Sequence, residues 1–182
     1  ARLRKEASGF WKESIEFYER VVERRPDDPQ AMNGLQRVHS WRGETAESLR
    51  WSQALITQAS AELDFWTQRI KRPDVTAEDE KRFREIVRNT GKLLAETHLH
   101  AATLCKRMGN PEEALAHVDE ALALQPARAD AYSRRAELLR DLGRYDEAIP
   151  SVDEFLRLSK LDFDHPDIRR AFQLRSECEA AL

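Results

Sequence analysis

The chain is poor in cysteine and has no long apolar run. Its 182 residues include two cysteines, Cys105 and Cys178, with neither a Cys-x-x-Cys spacing nor histidine or cysteine partners in zinc-ligand register. This spacing argues against a structural zinc site or a disulfide framework, so we expect reduced thiols and no metal. No stretch reaches the roughly 18–20 apolar residues of a membrane span. We therefore predict a cytoplasmic protein with no membrane partner.

The sequence also lacks the loops and motifs of the common enzymes. Only 6 glycines are present, and none of the phosphate-loop, dinucleotide-binding, metalloprotease or serine-hydrolase patterns is found. We therefore predict that the chain is not an enzyme and needs no cofactor. Its 30 basic residues nearly balance 33 acidic ones, for a net charge of -3, so the charge gives no reason to expect a nucleic-acid partner.

What the sequence does contain is a repeat. Glycines occur at positions 9, 43, 109 and 143, so the first two and the last two are each 34 residues apart, and the middle interval is 66. A small residue follows each glycine by five positions, and apolar residues recur with helical spacing beyond it. Each unit is predicted to be a helix, a glycine turn of positive φ and a second helix.

This pattern resembles the tetratricopeptide repeat, a helix hairpin of 34 residues whose copies stack on one another. The resemblance implies an all-α fold, a right-handed superhelical solenoid of antiparallel helix hairpins. We interpret the chain as a fragment of a longer array, because the register starts within a repeat and the first residue is not methionine. The predicted single domain, 1–182, divides into a partial repeat at 1–28, a degenerate repeat at 29–62, a helical extension at 63–94, repeats at 95–128 and 129–162, and a capping helix at 163–182.

The long middle interval departs from a plain array. Apolar residues stay in helical register from Trp51 to Ile70, which predicts a second helix longer than usual. Thr76 to Asp79 is typical of a helix N-cap with a capping carboxylate, and a new helix is predicted over 77–108. Two outcomes stay open for this helix, which is either continuous or broken near Gly91. The two over-long helices are expected to form an antiparallel hairpin between the second and third repeats.

The resemblance places ligand contacts on the first helix of each repeat, which lines the concave surface of the stack in this family. The family's clamp for chaperone carboxylates is not expected, because Asp130 stands where the clamp needs a base and would repel the ligand. A peptide or protein ligand of another kind is expected instead. Carried over to the matching positions, the implied groove consists of Asn33, Arg37, Leu99, Thr103, Lys106, Ser133, Arg134, Glu137 and Arg140.

A second interface is predicted at Phe65 and Trp66. These aromatic residues are adjacent on the long helix, so they cannot both face its neighbour, and we expect one of them to be available to a partner. The alternative is that the helical extension is only a packed spacer that replaces a lost repeat.

Three functions stay open on this basis. The favoured one is a non-catalytic scaffold that binds a peptide or protein partner in the concave groove. The first alternative is a regulatory or targeting appendage of a larger multidomain enzyme. The second is a self-assembling scaffold, including a homodimer, whose ligand is another copy of the chain.

Overall fold

The protein is seen as a computed structural model that describes the backbone of residues 2–182 and the side chains from Phe10 onward. Within this part of the chain the regular structure is entirely helical, in agreement with the predicted all-α class. None of these helices combines the length and the apolar character that a membrane crossing needs. Their bounds are α1 Arg2–Arg24, α2 Pro29–Arg42, α3 Thr45–Ile70, α4 Ala77–Arg107, α5 Pro111–Leu124, α6 Ala129–Asp141, α7 Tyr145–Leu158 and α8 Pro166–Ala180.

The helices stack in chain order. Each packs against the helix that follows it, and α6 also contacts α8, two positions further on. This succession of antiparallel hairpins forms the predicted helical solenoid. First helices of successive hairpins therefore come to lie side by side, which brings residues of distant sequence position onto one face.

Glycine allows the sharp turns between paired helices. Gly43, Gly109 and Gly143 have φ values of 78°, 81° and 72°, in the left-handed region that other residues enter only at a cost. The amide of Gly43 also bonds the carbonyl of Ser40, which closes the end of α2. The predicted glycine turns are confirmed at these three positions.

The fourth glycine does not form a turn, so one prediction was wrong. Helix α1 continues through Gly9, and Arg2–Arg24 form one helix where two had been expected. A glycine inside a helix costs only about 1 kcal/mol relative to alanine. The packing of α1 on α2, through Ile15 and the ring of Tyr18, outweighs this cost.

Two clusters of buried residues make up the core. The larger runs from Leu49 on α3 to Cys178 on α8, and the smaller joins α1 to α2 around Leu35. In the smaller cluster Gly34 lets the two helices approach closely, since a Cβ atom there would lie 2.5 Å from the Tyr18 ring. Alanine also lets helices approach closely in the larger cluster. The fully buried examples there include Ala95, Ala101, Ala114, Ala131 and Ala148.

Helices α3 and α4 are much longer than the others. They contain 26 and 31 residues, so α4 extends for about 46 Å at 1.5 Å per residue. Helix α4 is unbroken at Gly91, which settles the open alternative, and the predicted N-cap forms where Thr76 Oγ1 accepts the amide of Asp79 at 3.2 Å. Over residues 60–89, all of which the structure describes, no side chain is fully buried. This segment, which we call the projecting hairpin, is therefore a two-helix unit that no third layer covers.

Candidate partner-binding groove

A cleft between α4 and α6 collects four of the predicted groove residues. Thr103 and Lys106 come from α4, and Arg134 and Glu137 come from α6. Three buried apolar residues complete the lining, and the cleft has a volume of about 220 Å³. Its polar side chains thus belong to two successive repeats, as expected for a surface made by stacking. The three apolar lining residues are Ala102, Val118 and Leu138.

Charged side chains link α4, α6 and α8 across this face. Lys106 Nζ lies 2.8 Å from Asp141 Oδ2 and 3.8 Å from Glu137 Oε2. The second oxygen of Glu137 lies 3.1 Å from the guanidinium of Arg170 on α8. The network fixes the position of Lys106 and leaves little of its charge unbalanced. Each pair is partly exposed, so each stabilises the fold by about 1 kcal/mol or less.

The same network keeps Asp141 ionised. Partial burial of Asp141 opposes ionisation, but hydrogen bonds from Lys106 and Arg140 outweigh it and lower the pKa of this carboxyl below its usual value. In return, the hydrogen bond to Asp141 is the main cause of a raised pKa for Arg140. The end of the groove at α6 therefore carries fixed, mutually compensated charges at neutral pH.

Arg134 differs from Lys106, the other cation that lines the cleft. Its Nη1 donates a hydrogen bond to Thr103 Oγ1 at 2.7 Å, and its side chain is exposed. A hydroxyl is a neutral acceptor, so this contact does not balance the guanidinium charge as a carboxylate would. Arg134 is the lining group best placed to exchange its present partner for an anionic ligand.

The other predicted groove residues of these repeats are less accessible. Ser133 is half-buried on α6, and Arg140 is held by Asp141 and Glu177 at 2.8 and 3.5 Å. The prediction that Leu99 lines the groove was wrong, because only 4% of its surface is exposed and it belongs to the large core cluster. Helix α4 packs against both α3 and α5, so an apolar side chain at this position turns inward.

The two predicted residues on α2 do not join the cleft. The Arg37 guanidinium stacks over the ring of Trp41, 5.0 Å from its centroid, and Asn33 is half-buried. Neither residue lines the space between α4 and α6. The set carried over from the family therefore divides into two separate places, one on α2 and one on α4 and α6.

Phe65 and Trp66, the adjacent aromatic residues of the projecting hairpin, face different surroundings, as predicted from their adjacent positions on one helix. The Trp66 ring packs on Phe83 of α4, with centroids 4.8 Å apart, and is half-buried. Phe65 touches only the edge of Trp66 among the aromatic rings described, and 59% of its surface is exposed. Trp66 thus holds the hairpin together, and Phe65 is the member of the pair that faces solvent. Its use by a partner stays a prediction.

Alanine substitutions should separate these two roles. We expect Trp66→Ala to lower the free energy of unfolding by about 2 kcal/mol, since it removes the aromatic contact between α3 and α4. Phe65→Ala should change it by less than about 0.5 kcal/mol. Urea denaturation followed by circular dichroism measures both. Equal losses in the two variants would contradict the assignment of Trp66 as the packed member.

Sequence reasoning missed a second cleft, which is larger than the one between α4 and α6. It lies on the projecting hairpin and has a volume of about 740 Å³. Four of its lining residues are basic (Lys71, Lys81, Arg84 and Arg88), and the others are Glu85, Thr67, Ile70 and Val87. Arg84 is already paired with Glu80 at 2.6 Å. The only signal in the sequence was basic residues at helical spacing, a pattern that solvated helix faces also show.

The histidines and Cys105 are mostly packed groups. His98 and His100 face different neighbours: His98 Nδ1 lies 3.0 Å from His117 Nδ1, and His100 Nε2 lies 3.2 Å from Ser48 Oγ. Burial, with a smaller effect of His117, lowers the pKa of His98 to about 4. Burial and the nearby Glu113 carboxylate raise the pKa of the Cys105 thiol to about 11. Cys105 is fully buried, as expected of a small apolar residue.

Comparisons with known proteins agree with this architecture. Residues 101–162 match the family model of the tetratricopeptide repeat. A crystal structure of MamA is similar over 98% of this chain and 88% of that one, with a TM-score of 0.64 and 16% identity. The tetratricopeptide-like repeats of a putative kinesin light chain from Podospora anserina cover 98% of this chain and 85% of theirs, with a TM-score of 0.60 and 16% identity. A search of curated proteins found no match.

At these identities the solved structures show the fold alone, and the family model adds the repeat itself over the end of α4 and the whole of α5, α6 and α7. The two findings agree with the glycine turns and with the stacking of the helices. Residues 101–162 therefore match the tetratricopeptide-repeat model, and the part of the chain that the structure describes has a helical-solenoid fold like that of the solved structures.

Proposed function

We propose that the chain is a non-catalytic scaffold that binds a peptide or protein segment in the cleft between α4 and α6. The tetratricopeptide fold supports a role in protein interaction in general. The observation that supports this particular site is the convergence of Thr103, Lys106, Arg134 and Glu137 from two successive repeats on one concave space.

The chemistry of the cleft favours a ligand with an acidic group. Arg134 can replace its neutral hydroxyl partner with a carboxylate, and a guanidinium offers two parallel N–H groups to such a ligand. Lys106 adds little attraction, because Asp141 and Glu137 already balance its charge. Glu137 can accept an N–H group of a peptide backbone beside the bound carboxylate. The expected ligand is an extended segment that carries an acidic side chain or a free C-terminus.

To test the proposal, peptides that bind the intact chain are selected from a displayed random library. Their dissociation constants are then measured by isothermal titration calorimetry. Arg134→Ala should raise the dissociation constant at least tenfold, which corresponds to about 1.4 kcal/mol. Amidation of the ligand's carboxylates should weaken binding to the wild type and should have little further effect on the variant. Arg134 is exposed, so circular dichroism should show unchanged helicity.

Arg157→Ala is the matched control. Arg157 is also an exposed arginine, but it lies on α7, outside the cleft, and pairs with Glu154 at 2.6 Å. Its removal should leave the dissociation constant unchanged. Equal affinities of the wild type and Arg134→Ala, or equal weakening in both variants, would contradict the proposed site.

A further inference from the structure

Three residues with metal-ligating side chains meet at the turn between α4 and α5. Cys105 and Glu113 are each four residues from Gly109, so the antiparallel hairpin places them opposite one another, and His117 follows Glu113 by one helical turn. The Cys105 Sγ, a carboxylate oxygen of Glu113 and a ring nitrogen of His117 all lie within 4.8 Å of one another. The sequence alone shows no metal-ligand spacing here, because the cluster exists only once the hairpin has closed.

We propose that Cys105, Glu113 and His117 form a binding site for a zinc-class transition-metal ion. A thiolate with an imidazole favours Zn²⁺ over the hard ions Mg²⁺ and Ca²⁺. On a tetrahedral zinc ion, ligand atoms at about 2.0–2.3 Å from the metal lie roughly 3.3–3.6 Å from one another. The three atoms therefore need to converge by at most about 1.5 Å. Glu113 is exposed and His117 is half-buried, so rotation of these side chains can supply the movement.

The neighbouring His98 limits which ring nitrogen of His117 a metal can bind. His98 is buried on α4, and its Nδ1 lies 3.0 Å from His117 Nδ1, so one ring donates the shared hydrogen bond and the other accepts it. With Nδ1 engaged in this way, Nε2 is the nitrogen of His117 that can bind a metal. Metal-bound histidines commonly donate their second ring N–H to a hydrogen-bond acceptor.

The next hairpin shows that packing does not require these residues. At the equivalent positions, 34 residues further on, the chain carries Leu139, Glu147 and Ser151. Leu139 and Ser151 are buried, and Glu147 pairs with Arg144 at 2.6 Å. The same architecture thus forms without a cysteine or a histidine at these places. The combination of cysteine, glutamate and histidine therefore occurs in the α4–α5 hairpin and not at the equivalent positions of the α6–α7 hairpin.

The test adds Zn²⁺, or Co²⁺ as a spectroscopic substitute, to the intact chain after treatment with a chelator. The wild type should bind one ion per chain and show a thiolate-to-cobalt charge-transfer band. Glu113→Gln should bind zinc at least tenfold more weakly. The same loss is expected for His117→Ser, which introduces the serine found at the equivalent position of the next hairpin. The charge-transfer band should be absent in Cys105→Ala. Because Glu113 is exposed, Glu113→Gln should fold even if the substitution at the buried cysteine does not.

The matched controls are Cys178→Ala, which removes the other buried thiol, and Glu147→Gln, which changes the equivalent carboxylate of the next hairpin. Both should bind zinc as the wild type does. The proposal is overturned if the wild type takes up no zinc at micromolar concentration, if Glu113→Gln and His117→Ser bind zinc as tightly as the wild type, or if Cys178→Ala loses as much affinity as they do.

Discussion

Replacing Leu104 with alanine is expected to lower the free energy of unfolding by about 3 kcal/mol, within the range of about 2–5 kcal/mol for buried leucines. Leu104 is fully buried in the large cluster and lies on α4, which packs against both α3 and α5. The substitution removes apolar contacts and leaves a cavity that a close-packed interior fills only in part. Because neighbouring hairpins stabilise one another, the loss should affect the whole stack.

Urea denaturation followed by circular dichroism measures this effect, with Leu161→Ala as the matched control. Leu161 is an exposed leucine in the segment between α7 and α8, so its truncation should change the free energy of unfolding by less than about 0.5 kcal/mol. A loss below about 1 kcal/mol for Leu104→Ala, with an unchanged denaturant dependence, would contradict the central position of α4 in the core.

Replacing Pro150 with alanine should have a large effect of the opposite sign. Pro150 is the sixth residue of α7 and its side chain is exposed, so the substitution loses little packing. The proline cannot donate to the carbonyl of Asp146, and its ring crowds that carbonyl. We expect Pro150→Ala to raise the free energy of unfolding by about 2 kcal/mol. This figure allows for the greater freedom that alanine gives the unfolded chain, about 0.4–1 kcal/mol.

Pro111 provides the control, since it is the first residue of α5, where a helix has no hydrogen bond to lose. Pro111→Ala should leave the stability unchanged or lower it slightly. A stabilisation by Pro111→Ala as large as that by Pro150→Ala would contradict this account, because the gain would then not depend on the position of the proline within its helix.

The fold could be predicted from the sequence because local signals and the repeat agreed. The glycine turns need positive φ, which few residues adopt without strain, so Gly43, Gly109 and Gly143 mark the hairpins directly. The long helices could also be predicted, since the apolar register continues past the usual end of the second helix. Gly9 was misassigned because one glycine weakens a helix only slightly, and the packing of α1 on α2 is not visible in local sequence.

The candidate sites could be predicted only in part, since they depend on which faces meet. Thr103 and Arg134 were both expected on the concave surface, but their hydrogen bond depends on the lateral placement of α4 and α6. Leu99 was assigned to that surface from its repeat position, whereas its apolar character places it in the core. The cluster around Cys105 could not be foreseen either, because its members come from both sides of a turn and have no motif spacing.

Mapping a selected peptide by amide chemical shifts in nuclear magnetic resonance would test the proposed groove most directly. The account predicts that the largest changes on peptide addition fall on Thr103, Arg134 and Glu137, with small changes on the projecting hairpin. Largest changes at Phe65, or along the basic cleft that includes Lys81, would contradict it and place the binding site on the projecting hairpin.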